Sequence, residues 1–145
     1  MTTVIIYSNS NGNVSVCVPA EGVDINNVLK NDCPSGAIIV DDSTFPQGSD
    51  AQFFDAWVLN GLTITVDIKK AQADKLAQYN IAAIQVAQSR QLNTLAGIPN
   101  IISDADFMAK LATDRANIAA ATTTAQLVAI QNPVVVSNQN AQLNA

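Results

Sequence analysis

Residues 69–96 read KKAQADKLAQYNIAAIQVAQSRQLNTLA, and this stretch decides the fold of the second half of the chain. It contains no glycine or proline and is rich in Ala, Gln and Leu, so it predicts one long helix. Gly97 and Pro99 follow it and are expected to end that helix. A helix of about 28 residues would span roughly 42 Å, which is longer than a domain of this size needs.

Apolar side chains lie almost all round this helix, and a helix that is apolar on several faces is packed on several faces. Either the rest of the chain covers it or another chain does. We therefore predict a homo-oligomer or a helical bundle, although the heptad spacing is too irregular to predict a coiled coil. The residues predicted as interface candidates are Leu76, Tyr79, Ile84, Leu92 and Leu95.

A β-hairpin is predicted directly before the helix. Trp57-Val58-Leu59 leads into Asn60-Gly61, the strongest signal for a two-residue type I′ turn. After the turn, the apolar residues alternate with polar ones, which indicates a strand with one wet face. These alternating apolar residues are Leu62, Ile64, Val66 and Ile68.

A first hairpin is predicted at the start of the chain, where residues 4–7 and 14–18 flank a turn rich in Asn, Ser and Gly. Between the hairpins we expect a short helix at 23–30 and a short strand at 37–40. The strand is wholly apolar, which favours a central position in the sheet.

Two further helices are predicted after the long one. Ser103 is expected to cap the first, which runs to about Ala121, and Thr122 or Thr123 caps the second, which ends before Pro133.

The predicted organisation is a β-rich part at 1–68, a helical part at 69–132 and an extended polar tail at 133–145, within one globular unit. Strands followed by helices indicate an α+β fold.

The distribution of charge argues against two classes of partner. The chain has 145 residues and a net charge of −5. Residues 1–60 hold seven of the twelve acidic residues and only one basic residue, Lys30. An acidic front half is poorly suited to nucleic acid or to an anionic membrane surface. The first residues, MTTVIIYSNSNG, lack the basic region of a signal peptide, so we expect synthesis in a reducing cytoplasm.

The residues offer little for catalysis, and we expect no catalytic, metal-binding or cofactor-binding site. The chain has no histidine, which rules out imidazole chemistry. Asp41, Asp42 and Asp50 share one loop and form the best candidate for a weak calcium or magnesium site, but adjacent loop acids are usually only solvated. Cys17 and Cys33 are too few for a disulfide scaffold, and one bridge is possible.

The chain's main aromatic cluster is formed by Phe53, Phe54 and Trp57. They could anchor a partner. The prediction favours a place in the core, because a chain so poor in aromatic residues needs them there.

The run Ala37–Pro46 (AIIVDDSTFP), the segment FFDAW at 53–57 and the hairpin through Asn60-Gly61 resemble a loose group of small tailed-bacteriophage proteins. The short strand at 4–7 and the alanine-rich segment from Ala119 to Pro133 add to the likeness. The resemblance implies a non-enzymatic structural protein of the virion, in the tail, baseplate or fibre-attachment region. It would be assembled in the host cytoplasm and would contact other phage structural proteins.

Two alternatives stay open. The first is a tail or tail-fibre assembly chaperone that is not retained in the particle. The second is a small enzyme or metal-binding module, for which a calorimetric calcium titration is the test.

Overall fold

The computed structural model describes residues 2–135, and the chain divides into two compact units, Met1–Ala71 and Gln72–Ala145. The strands are β1 (Thr3–Ser8), β2 (Val14–Cys17), β3 (Ile38–Asp41), β4 (Trp57–Asn60) and β5 (Thr63–Val66). The α-helices are α1 (Ile25–Asp32), α2 (Ile68–Leu95), α3 (Asp104–Ala120) and α4 (Thr124–Ala129). Antiparallel strands followed by a long helix and two shorter ones confirm the predicted α+β class.

The three-stranded sheet has the order β2-β1-β3, and both neighbours run antiparallel to β1. The prediction that residues 37–40 form the central strand is therefore wrong. The centre belongs to β1, where Val4, Ile5 and Ile6 are all buried. Every residue of β3 is partly exposed, as expected for an edge strand.

The hairpin of β4 and β5 and the three-stranded sheet together form the core of the first unit. The buried cluster in this core contains Val4, Ile6, Val14, Trp57 and Ile64. The Trp57 ring meets Phe45 edge-on at 5.6 Å between ring centroids, and its indole N–H donates to the Asp50 carbonyl. Burial of the indole with its N–H satisfied fits the core role predicted for this residue.

The other two aromatic residues of the cluster differ from each other. Phe53 is buried, whereas Phe54 is half exposed and packs against Trp57 at 4.9 Å between ring centroids. Three short 3₁₀ helices, at Asp42–Thr44, Gly48–Gln52 and Phe54–Ala56, occupy the segment between β3 and β4.

The turn between β4 and β5 lies one residue later than the sequence predicts. Asn60 pairs with Thr63 across the strands, so the two turn residues are Gly61 and Leu62. Gly61 has a φ of 63° and no other residue type in the described chain has a positive φ. A positive φ at the first turn residue alone is the pattern of a type II′ turn, and the predicted type I′ turn is wrong.

The long helix has clear signals at both ends. The Asp67 carboxylate accepts hydrogen bonds from the backbone N–H groups of Lys69 and Lys70 at its start. At its end, the N–H of Gly97 bonds the carbonyl of Thr94 and the N–H of Ile98 bonds that of Asn93.

This pair of bonds is a Schellman motif, and the φ of 75° at Gly97 supplies the left-handed residue it requires. Ser103 and Thr123 cap α3 and α4 through their hydroxyl groups, which confirms both predicted helix starts.

No helix within residues 2–135 has both the length and the apolar character that a membrane crossing requires. Residues 136–145, which hold most of the predicted polar tail, lie outside the described part of the chain.

Candidate interaction surface

One face of α2, which we call the inner face, belongs to the core of the second unit. Tyr79 and Ala83 are buried there. The other two helices of the unit supply further buried apolar side chains, which are Phe107, Leu111, Ile118 and Leu127. Tyr79 is therefore a core residue, and its prediction as an interface candidate is wrong.

A polar network ties the inner face to α3. The hydroxyl of Tyr79 donates to Asp114 at 2.6 Å, and the Lys110 ammonium meets the same carboxylate oxygen at 2.8 Å. Partial burial acts to raise the pKa of Asp114, but the hydrogen bonds from Lys110 and Tyr79 outweigh it and hold that pKa below its usual value of 3.8. Burial and the neighbouring carboxylate raise the pKa of Tyr79, so its hydroxyl remains a donor.

Arg90 carries the only charge between Lys75 and Asp104. Its guanidinium donates to the Ile102 carbonyl at 2.9 Å and to Asp104 at 2.7 Å, and it lies 4.6 Å from the centre of the Phe107 ring. These contacts hold the positive charge of Arg90 against the start of α3. No charged residue therefore remains on the opposite side of α2 in this stretch.

That opposite side, which we call the outer face, is apolar. Its four large side chains are exposed by 62%, 58%, 65% and 78%, in the order Ile81, Ile84, Leu92 and Leu95. At 100° per residue, all four lie within about 40° of the point opposite Tyr79. The helix therefore presents two apolar faces, and the described chain buries only the inner one.

Exposure of the outer face has a large energetic consequence. Full burial of one such side chain contributes about 1.5–3 kcal/mol of hydrophobic free energy. Burial of the surface that these four leave exposed would therefore contribute roughly 4–8 kcal/mol. A whole domain is stable by only about 5–15 kcal/mol. Single exposed aliphatic residues are common, but four large ones in a row on one helix face, with only Gln88 between them, are typical of a contact surface.

The predicted interface candidates thus separate into two groups. Ile84, Leu92 and Leu95 lie on the outer face, whereas Leu76 lies about 60° from Tyr79 around the helix, at the edge of the inner face, with about a third of its surface exposed. Ile81 also belongs to the outer face, although it is not among the predicted candidates. Its spacing of three residues from Ile84 indicates that the two side chains share one face of the helix, and this spacing could have identified Ile81 as a candidate.

A groove of about 590 Å³ runs beside the end of the outer face, between α2 and the first turns of α3. Leu95, Phe107 and Met108 form apolar parts of its lining, and the ion pair of Arg90 with Asp104 borders it. Met108 is itself largely exposed. The groove extends the apolar surface sideways from Leu95.

In the acidic loop, the carboxylates of Asp41 and Asp42 accept hydrogen bonds from backbone N–H groups. Asp41 accepts from the N–H of Ser43 at 2.9 Å, and Asp42 accepts from the N–H of Thr2 at 2.9 Å. The hydrogen bonds from Ser43 lower the pKa of Asp41. Within residues 2–135, no three His, Cys, Asp or Glu side chains come together as a set that could hold a metal ion.

The two cysteines are free thiols and both are partly buried. The two thiols lie close enough to influence each other's ionisation. Burial raises the pKa of Cys33, and the adjacent Cys17 adds to the shift. A raised pKa lowers the thiolate fraction at neutral pH.

Comparison of the chain with models of protein families, with curated proteins and with solved structures found no match.

Proposed function

We propose that this chain is a non-enzymatic structural protein of a tailed-bacteriophage particle, placed in the tail, baseplate or fibre-attachment region, and that it acts through protein–protein contacts. The observation that carries the contact role is the outer face of α2, a row of four large aliphatic side chains opposite the buried Tyr79. The resemblance of the segments at 37–46 and 53–57 to small phage proteins supports the assignment to a particle.

The chemistry of the outer face favours a protein partner. Phosphate backbones are bound by basic side chains, and residues 76–103 contain only Arg90, which already bonds Asp104. The centres of stable protein interfaces are depleted in charge. An uncharged aliphatic row suits such a centre.

Mass spectrometry of purified particles tests the proposal. The phage that encodes the chain should carry it in stoichiometric amounts after particles are separated from soluble protein by density gradient. Particles that lack the chain, together with a soluble complex between the chain and a tail protein in infected cells, would instead establish the assembly chaperone.

Substitutions on the outer face test whether this surface is needed for incorporation into the particle. Ile84→Glu and Leu92→Glu should each lower incorporation at least several-fold, because a charge in a desolvated interface is costly. Asn117→Glu is the matched control, since Asn117 is an exposed residue of α3 in the same unit. Equal incorporation of all three variants would show that the outer face is not the contact.

A further inference from the structure

The outer face of α2 has a symmetric pattern about one residue. Its row reads Ile81, Ile84, Gln88, Leu92 and Leu95, with spacings of three, four, four and three residues. Gln88 is the midpoint, so an aliphatic residue stands four positions away and seven positions away on either side. A surface that matches its own reversed copy is what a twofold interface requires.

The flanking residues repeat the symmetry. Gln85 and Gln91 stand three positions before and after Gln88, and all three glutamines are exposed. The borders of the row are therefore polar and uncharged on both sides. Two copies could meet here without bringing like charges together, despite the net charge of −5 on each chain.

We propose that the outer face binds a second copy of this chain in an antiparallel helix pair, with the twofold axis at Gln88. In this register Ile81 of one copy faces Leu95 of the other, and Ile84 faces Leu92. The two Gln88 amides meet at the axis, where each can donate to the other. A single polar residue of this kind in an apolar helix interface fixes the register of the pair.

The pairing deepens the proposed function, and it rests on the proposal that this face makes protein contacts. Experiment can nevertheless distinguish a failure of the pairing from a failure of the proposed function. A chain that is monomeric in solution but present in particles would overturn the pairing alone. A chain that pairs in solution but is absent from particles would overturn the structural role alone.

The interface is short, since the row from Ile81 to Leu95 spans about 21 Å along the helix. It is smaller than a standard protein interface, so we expect a dissociation constant on the order of 10–100 µM. Sedimentation equilibrium of the full chain at physiological salt, at concentrations up to about ten times that range, should show a monomer–dimer equilibrium. A purely monomeric chain over the whole range would overturn the proposal.

Charge-swap variants test the antiparallel register. Ile84→Lys and Leu92→Glu alone should each weaken dimerisation at least tenfold, and both positions are more than half exposed, so the fold is retained. The double variant carries both changes, and in the antiparallel pair each Lys at 84 faces a Glu at 92. Dimerisation should therefore recover in the double variant, whereas a parallel pair would place like charges together and stay dissociated.

Disulfide trapping locates the axis. In a chain with Cys17→Ser and Cys33→Ser, the added change Gln88→Cys should give a covalent dimer on mild oxidation, because a residue on a twofold axis meets its own copy. Asn117→Cys on α3 is the control and should remain mostly monomeric. Equal cross-linking of both variants would overturn the placement of the axis.

Discussion

Replacement of Tyr79 by Phe isolates one hydrogen bond in the core of the second unit. Tyr79 is fully buried, and its hydroxyl donates to Asp114 at 2.6 Å. Phe keeps the ring and therefore the packing. The substitution removes only the donor, and Asp114 retains its contact with Lys110 at 2.8 Å.

The expected loss of stability is about 1.5–3 kcal/mol, the usual contribution of a hydrogen bond to a charged group. The Asp114 side chain is only 14% exposed, so water replaces the lost hydroxyl poorly. The Lys110 side chain is 55% exposed, and Lys110→Ala should cost less, about 0–1 kcal/mol. The buried hydroxyl and not the ion pair is therefore the main stabilising partner of Asp114.

The effect of pH has a definite sign. The folded pKa of Asp114 is lower than its usual value of 3.8. Its contribution is fully present well above that value and is lost as the pH falls through 3.8 toward the folded pKa. Tyr79→Phe removes one cause of the lowered pKa. The stability difference between wild type and variant should therefore be largest near neutral pH and should shrink on acidification.

Urea denaturation followed by circular dichroism measures these quantities at neutral pH and at about pH 3. A double-mutant cycle with Asp114→Asn isolates the pair, because a real Tyr79–Asp114 interaction makes the two losses non-additive. An unchanged free energy of unfolding in Tyr79→Phe, or fully additive losses, would refute the role assigned to this hydrogen bond.

Three further substitutions test the fold. Gly97→Ala should destabilise the chain by about 1–2 kcal/mol, since φ there is 75°, and an unaltered thermal midpoint would contradict the Schellman motif. Asp67→Ala should cost about 0.5–2 kcal/mol through loss of the cap of α2, whereas Asp67→Asn should retain most of the stability in the same denaturation assay. Ile6→Ala should cost about 2–5 kcal/mol in urea denaturation, and Leu62→Ala, its 74% exposed control, should change the free energy of unfolding by less than about 0.5 kcal/mol.

Local signals account for the features that the sequence predicts well. The run from Lys69 to Ala96 contains no breaker, and the caps at Ser103 and Gly97 act on their own helices. The structure places α2 at Ile68–Leu95, within one residue of the predicted bounds. Such signals are readable because the interacting atoms are near neighbours in sequence.

Non-local packing decides the features that the sequence does not predict. The strands at 4–7 and 37–40 are both apolar, and only their pairing shows that the first one is central. Periodicity likewise cannot separate Tyr79 from Ile84, because α2 is apolar on two opposite faces. The separation depends on which face meets the later helices: Asp114, which accepts the Tyr79 hydroxyl, lies 35 residues farther along the chain on α3.

The position of Arg90 is the decisive difference between the two faces of α2. On the inner side it is held by Asp104 and by the Ile102 carbonyl, close to the Phe107 ring. A charge of either sign on the outer side would keep the helix soluble as a monomer, since exposed charges oppose association. The outer side instead has Gln88 at its middle, a side chain that water solvates in the monomer and that an identical amide can satisfy in a dimer. The same row of residues is thus compatible with both states, and a single charged substitution in it should be enough to favour the monomer.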